Sequence, residues 1–138
     1  IVSFSRHTIR VGAFQTLFAL MDTPQEQKDA LYAQVLHLGP HEEAPAYLDQ
    51  LVSGVQEHQT ELDQLISDYL TDDWAINRIA RANLIILRIA LYELQYEQDL
   101  PAAVVINEAL ELAKSFSDDK SRKFINGILG HYEKDHAK

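Results

Sequence analysis

The chain has 138 residues and no cysteine, which excludes a disulfide framework and a thiolate metal site and suits a cytoplasmic protein. With 46% hydrophobic residues, a chain of this length is expected to form one domain around its own core. The formal charge of −9 argues against a protein that binds nucleic acid over its whole surface, but it permits a local basic patch. No charged-then-apolar leader signals secretion, and the start at Ile1 leads us to expect a few native residues in front.

Apolar residues at helical spacing predict four helices in the first half of the chain. The first covers residues 5–21, and a capping box at residues 23–26 opens the second, which Gly39-Pro40 ends. The third begins near Pro45 and the fourth near Thr60. The residues expected on the buried faces are Phe14, Leu17, Phe18, Met21, Leu31, Val35, Leu38, Leu48, Leu51, Val52, Val55, Leu62, Leu65, Ile66 and Tyr69.

A nearly continuous apolar run forms the centre of the chain. Residues 72–74, Asp-Asp-Trp, are a helix-start signal, because carboxylates are favoured at the positive end of the helix dipole. We predict a central helix over residues 76–96, and residues 84–92 are all apolar except Arg88. A helix that is apolar nearly all round is buried on most sides. Arg88 and Glu93 interrupt the run too early for a membrane span, which needs about 20 predominantly apolar residues.

Two further helices follow the central one. The turn at Asp99-Leu100-Pro101 precedes a helix over residues 102–116, and Ser117-Asp118-Asp119 caps the last helix. No segment alternates with period two over a useful length, so we predict an all-α fold of about seven helices without a sheet. The residues expected to face inward are Val105, Ala109, Leu112, Phe116, Ile125, Ile128, Leu129 and Tyr132.

The sequence offers little support for catalysis, metal binding or a cofactor. His37 and His41 are four residues apart, but the intervening Gly-Pro pair breaks the helix that would align them, so surface positions are favoured. The pairs Asp72/Asp73 and Asp118/Asp119 stand at predicted helix starts, where capping explains them better than acid–base chemistry. Since glycine-rich phosphate loops and nucleophile-elbow motifs are also absent, we predict a protein that is not an enzyme.

Arg88 is the unusual residue of the central helix. Arg81, Arg88 and Gln95 recur every seven residues, so a helix stacks them into one narrow polar seam. An unpaired buried charge would be strongly destabilising. We therefore favour an ion pair with Glu93, Glu108 or another carboxylate over an arginine exposed at a cleft.

A strip on the last predicted helix could bind a nucleic-acid strand. Lys120, Lys123, Phe124 and Gly127 are spaced i, i+3, i+4 and i+7, to one side of the inward stripe. Two ammonium groups, an aromatic ring and a glycine can contact phosphates, stack a base and let a backbone come close. The pattern is equally compatible with Phe124 packed in the core and both lysines merely solvated.

A second basic segment lies near the start of the chain. Arg6 and Arg10 are one helical turn apart with His7 between them, so they could hold a phosphate backbone in a salt-dependent way. Two arginines near a terminus are, however, more often simply solvated.

Several sequence motifs occur in a fixed order along the chain. Residues 87–94 read LRIALYEL, residues 106–116 read INEALELAKSF after Pro101, and residues 124–129 read FINGIL. Near the start, the basic residues 6–10 precede AFQTLF at residues 13–18. In order and spacing these motifs resemble the NusB family of bacterial transcription antitermination factors. The resemblance covers essentially the whole chain and is weakest over residues 23–58.

This resemblance implies an all-α fold of two small bundles that share the long central helix, and a non-catalytic role. NusB-family proteins bind the boxA element of nascent RNA together with NusE, a protein of the small ribosomal subunit. The pair helps RNA polymerase resist termination, notably on ribosomal RNA operons.

The resemblance also assigns residues to two binding surfaces. The single-stranded RNA would lie in one groove formed by the outer faces of the first and last helices. Its residues, carried over by position, are Arg6, His7, Arg10, Lys120, Lys123 and Phe124. The NusE surface would involve Phe18 and Asn83.

Three positions depart from the family's pattern. His7 replaces one member of a denser run of arginines, which lowers the expected RNA affinity of the chain alone. Asn83 stands where an acidic residue is common, so the expected NusE contact loses a charge. Lys120 stands where some members carry an aspartate and adds positive charge to the RNA surface.

Two other functions stay open. One is a protein-interaction bundle without an RNA role, and the other is a detached accessory domain of an RNA methyltransferase. No residues suited to a methyl donor are recognised, and the polar tail at residues 133–138 favours a stand-alone factor. The sequence does not decide between a monomer and a homodimer, and we expect no membrane association.

Overall fold

The computed structural model describes residues 3–71, 75–97 and 99–136. These residues form seven α-helices and no strand, which confirms the predicted all-α fold. Short 3₁₀ turns at Gln25–Gln27 and Ile76–Arg78 precede the second and fifth helices, and the predicted start signal at residues 72–74 lies outside the described residues. The helices are α1 (Arg6–Leu20), α2 (Lys28–Val35), α3 (Ala46–Glu57), α4 (Gln59–Asp68), α5 (Arg81–Tyr96), α6 (Ala102–Phe116) and α7 (Asp119–Asp135).

The chain divides into two compact units, and each is described by itself. The first comprises residues 1–56, with α1, α2 and nearly all of α3. The second comprises residues 57–138, with α4 to α7. The long helix α5 belongs to the second unit.

The first unit begins at a capped helix. The Oγ atom of Ser5 accepts a hydrogen bond from the backbone N–H of Thr8 at 3.1 Å, which satisfies one of the free donors at the start of α1. Gly12 allows α1 and α2 to approach closely, because a Cβ atom there would lie 3.3 Å from Cδ2 of Leu36. The buried apolar residues of this unit are Ile9, Ala13, Phe14, Leu17, Leu20, Tyr32, Leu36, Leu48, Leu51, Val52 and Val55.

A polar network connects α2 to α3. The hydroxyl of Tyr32 donates to Oδ1 of Asp49 at 2.6 Å, and the hydroxyl of Ser53 donates to the same oxygen at 3.1 Å. Lys28 donates to Ser53 at 2.8 Å. The hydrogen bond from Tyr32 lowers the pKa of Asp49. Burial is the largest cause that raises the pKa of Tyr32 above its ordinary range, and the Asp49 carboxylate is the next.

The prediction for the second helix was wrong in its end and its buried face. The helix ends at Val35, because His37 adopts a φ of 55° and the N–H of Leu38 bonds the carbonyl of Ala33. This is a Schellman motif, which stops the helix before the Gly39-Pro40 pair is reached. Tyr32 and Leu36 are buried, whereas the expected Leu31, Val35 and Leu38 are only half-buried, because the face of α2 that packs in the unit is centred on Tyr32 and Leu36. The expected Thr23 side-chain cap is also not formed, since the turn starts after Pro24 without a side-chain cap bond.

Helix α5 occupies the centre of the second unit and packs against α4, α6 and α7. Every residue from Ile85 to Glu93 is buried, which confirms the prediction of a helix enclosed on most sides. The helix begins at Arg81, five residues later than predicted, because residues 76–78 form a 3₁₀ turn. The predicted bounds of α6 are confirmed, and α7 follows Asp118, whose carboxylate accepts from the N–H of Ser121 at 2.7 Å.

Arg88 forms an ion pair across α4 and α5, as predicted. Its Nε and Nη2 atoms donate to the two carboxylate oxygens of Asp63 at 2.7 and 2.9 Å. The Arg88 side chain is 10% exposed and the Asp63 side chain 27% exposed. A bidentate pair of this kind satisfies a guanidinium that the surrounding apolar residues cannot solvate.

Replacing Asp63 with Ala leaves the guanidinium of Arg88 buried without this partner. Removing one member of a fully buried pair costs roughly 3–5 kcal/mol, and the partial exposure of Asp63 reduces the expected loss to about 2–4 kcal/mol. Urea denaturation followed by circular dichroism measures this free energy of unfolding. Glu111→Ala, on the exposed face of α6, is the matched control and should change stability by less than about 0.5 kcal/mol. Equal effects of the two substitutions would contradict a structural role for the pair.

Replacing Tyr32 with Phe should produce a pH-dependent loss of stability. The pKa of Asp49 is lowered in the folded state, so its contribution is present above the ordinary value of 3.8 and is lost as the pH falls through the folded pKa. We expect a loss of about 1 kcal/mol at neutral pH that shrinks below pH 3.8. Urea denaturation across this pH range tests the expectation. In an Asp49→Asn background the pH-dependent part should disappear, and its persistence would assign it to another group.

Candidate nucleic-acid interface

The strip predicted on α7 lies on the surface of the second unit. Lys120, Lys123 and Gly127 are exposed, and Phe124 is half-buried. A Cβ atom built on Gly127 would meet nothing within 4 Å, so the helix backbone is open to a close approach there. The Phe124 ring is therefore neither sealed in the core nor fully solvated, and one part of it remains available to a ligand.

A cavity of about 240 Å³ opens beside this strip. Lys120 and Phe124 line it from α7, Asn83 from α5, and Arg78 and Ile79 from the turn before α5. Two cationic side chains, an aromatic ring and an aliphatic side chain thus border one concave space. An unstacked base can contact the apolar part, while the guanidinium and ammonium groups neutralise phosphates.

Arg78 is a candidate that the sequence analysis missed. It lies in the last position of a 3₁₀ turn, outside any amphipathic stripe, so helical periodicity could not connect it with residues 120–124. Only the packing of the α5 start against α7 places these groups around one cavity. The signal that the sequence offered for Arg78 was a cationic residue just before the apolar part of the central helix.

Asn83 lines this cavity, but the residue as a whole is buried. It is 6% exposed, its Nδ2 donates to the Ser121 hydroxyl at 2.8 Å, and its Oδ1 accepts from the Ser117 hydroxyl at 2.7 Å. The contact between Asn83 and NusE stays a prediction. Within this chain its amide holds the α6–α7 turn against α5 and so positions the start of the basic strip.

The basic segment of α1 is only partly available in the first unit. Arg6 and His7 are exposed, and the Arg6 guanidinium lies 3.7 Å from the centre of the Tyr47 ring. This cation–π contact orients Arg6 without consuming its hydrogen-bond donors. Arg10 is only 2% exposed, so its contact with a phosphate backbone stays a prediction that requires its side chain to leave this buried position. Arg10 shares a face of α1 with Arg6, but the turn that carries Arg10 is buried.

Phe18 remains a candidate for protein contact. It is 40% exposed and Met21 is 42% exposed, so the prediction that both belong to the buried face of α1 was wrong. The helical spacing identified the buried face of α1 correctly, since Phe14 and Leu17 are buried. It did not show that other residues of this face, such as Phe18, are exposed. The Phe18 ring centre lies 5.9 Å from that of Phe14. An exposed apolar ring anchored in this way suits a protein partner.

The α1 segment and the α7 strip belong to different units. A single groove made from both stays a prediction. Among the described residues, no group of three or more His, Asp or Glu side chains is arranged to hold a metal ion, and no helix has the length and apolar content to cross a membrane.

Comparison with known proteins identifies the family. The model of the NusB family matches residues 7–134. The chain belongs to the NusB family. It is 56% identical over 130 residues to the transcription antitermination protein NusB of Limosilactobacillus fermentum, a match that covers 94% of each chain.

Solved structures agree with this NusB-family assignment. NusB of T. maritima superimposes with a TM-score of 0.84 and 32% identity, covering 99% of this chain and 96% of that one. A structure of antitermination factors NusB and NusE in complex with dsRNA gives a TM-score of 0.80 and 25% identity, covering 95% and 97% of the two chains. The fold expected from the motifs is thereby confirmed.

Replacing Phe124 with Ala should weaken RNA binding by this NusB-family chain. Base–aromatic stacking is worth about 1–3 kcal/mol, so we expect an affinity loss of roughly fivefold to a hundredfold, with a change in unfolding free energy below about 2 kcal/mol because the ring is half-buried. Fluorescence anisotropy with labelled RNA and a thermal melt measure the two quantities. A large loss of stability with unchanged RNA affinity would return Phe124 to a purely structural role.

Proposed function

We propose that this protein is a transcription antitermination factor that binds boxA-type RNA of nascent ribosomal transcripts together with NusE. The observation that carries the proposal is the cavity that Arg78, Lys120 and Phe124 border on a NusB fold. Family membership supplies the biological context, because the curated relative that it resembles is named as a transcription antitermination protein.

The proposed RNA contacts divide into phosphate and base contacts. Lys120, Lys123 and Arg78 would neutralise phosphates near the base that stacks on Phe124. In the first unit, Arg6 and His7 would contact the same strand, with Arg6 held in place by Tyr47. We assign Arg10 no direct phosphate contact in this conformation, because its side chain is buried.

A single-stranded RNA fits this arrangement best. Unpaired bases can turn outward and enter a concave apolar site, whereas the bases of an A-form duplex are stacked and less accessible. The related NusB–NusE structure contains dsRNA, so a duplex is the informative competitor in a binding experiment. The proposal predicts that the single strand binds more tightly.

Cooperation with NusE would offset the unfavourable net charge of the chain. A protein of charge −9 repels RNA at a distance and offers only a few local cations, so binding alone is expected to be weak. A partner that binds both the protein and the RNA makes the second contact effectively intramolecular. We place part of the NusE contact at Phe18, whose exposed ring supplies an apolar anchor.

We further propose a non-catalytic protein that acts in the cytoplasm, where nascent bacterial RNA is made, as one functional domain containing both units. Its contribution is binding and positioning within an RNA polymerase antitermination complex. The oligomeric state is best measured in the same experiments, since a homodimer would change the effective number of RNA contacts.

A titration with and without NusE tests this function. Labelled boxA-type RNA, a scrambled single strand and a duplex are each titrated with the protein at several salt concentrations. We expect NusE to increase affinity for the boxA strand at least tenfold and to leave the scrambled strand weakly bound. RNA affinity that is the same with and without NusE, and the same for the boxA and scrambled strands, would contradict the proposal. Binding of NusE without any change in RNA affinity would favour a protein-interaction bundle.

Two lysine variants of α7 sharpen this test. Lys123→Gln should weaken binding to every RNA and reduce the slope of log affinity against log salt by about 1, because one phosphate contact is lost. Lys134→Gln, near the other end of the same exposed helix surface, makes the same change in net charge. Equal effects of the two variants would indicate a general response to net charge and not a contact at the strip.

A further inference from the structure

A second and larger cleft lies elsewhere in the second unit. Its volume is about 700 Å³, within the range of roughly 300–1,000 Å³ that is usual for ligand pockets. The ends of α5 and α7 and the start of α6 border it, and Glu61 of α4 completes the rim. Its lining includes none of the residues assigned above to RNA or to NusE.

Aromatic rings form two sides of this cleft. The Tyr96 ring lies against the His58 ring, with 4.4 Å between the ring centres and an interplanar angle of 24°. The Tyr132 ring lies against the His136 ring, with 4.0 Å between centres and an angle of 19°. The face of an aromatic ring carries negative electrostatic potential and attracts a cation placed over it. Of the two tyrosines only Tyr96, which is 42% exposed, offers such a face, because Tyr132 is 6% exposed and covered by His136.

Hydrogen-bond acceptors accompany the rings. Glu61 accepts from the Tyr96 hydroxyl at 2.8 Å, yet its side chain is 51% exposed and has capacity for a further donor. The Oε1 atom of Gln95 is buried and accepts no hydrogen bond from the part of the chain that the structure describes. A buried acceptor without a donor costs free energy, so a donor entering the cleft at this atom would be favoured.

Two of the three helix ends at this cleft contribute negative potential. Helix α5 ends at Tyr96 and α7 ends at Asp135, where the last carbonyl groups carry a partial negative charge, whereas the start of α6 at Ala102 carries a partial positive charge. The hydrogen bond to Glu61 raises the pKa of Tyr96. Burial, followed by the nearby carboxylates of Glu97 and Glu57, raises the pKa of Tyr92. Lys134 is the nearby cation in sequence, and it does not line the cleft.

We propose that this cleft binds an arginine side chain carried on a basic segment of a partner protein. A planar guanidinium can stack on the exposed ring of Tyr96 and lie beside Tyr132 while its N–H groups donate to Glu61 and to Oε1 of Gln95. The methylene groups of the arginine pack on Leu100. A lysine ammonium is a compact charge that cannot stack in this way, so arginine is preferred. The inference is independent of the RNA function proposed above.

Titration of the full chain with matched peptides tests this proposal. The probe is a short glycine peptide with two arginines, and its counterpart carries citrulline, which keeps the shape and removes the charge. Two-dimensional NMR at low salt follows the resonances of residues 95, 96 and 132. We expect the arginine peptide to shift them in a saturable way and the citrulline peptide to bind at least tenfold more weakly.

Two variants separate the cleft from the net charge of the protein. Glu61→Gln should weaken the arginine peptide about tenfold, whereas Glu111→Gln, an equal charge change on the exposed face of α6, should have little effect. Gln95→Leu should also weaken binding without any change of charge. A thermal melt of each variant verifies folding, and RNA affinity should be unchanged in all three.

Three results would overturn the proposal. Equal binding of the citrulline peptide would show that charge is not recognised. Equal losses in Glu61→Gln and Glu111→Gln would assign binding to the overall charge of −9. Spermidine that displaces the peptide with higher affinity would identify a site for free polyamines instead of a partner's arginine.

Discussion

The burial of α5 is the constraint on which the second unit depends. Every residue from Ile85 to Glu93 is shielded from water, so the guanidinium of Arg88 needs a partner inside the protein. Asp63 provides that partner with two hydrogen bonds and thereby ties α4 to α5. Helices α6 and α7 pack on the other apolar sides of α5. Their outward faces are then available for binding.

The connection from this core to the proposed RNA site passes through Asn83. Its amide joins the first part of α5 to Ser117 and Ser121 at the turn between α6 and α7. Lys120 and Phe124 lie on either side of Ser121 in α7, and Arg78 precedes α5. A buried asparagine with both ends of its amide satisfied can position such a turn, because each displaced hydrogen bond would leave a polar group unpaired.

Helix α7 carries two chemically different ends. Its first two turns present Lys120 and Lys123 beside the cavity that we assign to RNA. Its last turn presents Tyr132 to the aromatic cleft that we assign to an arginine. A helix of this length spans about 25 Å, so one element can display an anion site and a cation site without their fields cancelling at physiological salt.

Amphipathic periodicity and end signals determined much of this protein from the sequence alone: the all-α class, the bounds of α6, the cap of α7 at Asp118, the enclosed central helix and the need for a partner to Arg88. These are local properties, because a cap or an apolar stripe depends on residues within a few positions of one another. Tertiary structure alone decided that Asp63 is the partner, that Arg10 and Asn83 are buried, that Phe18 is exposed and that Arg78 borders the cavity. Exposure and pairing depend on which helix covers which face, and that is set by contacts between residues far apart in the chain.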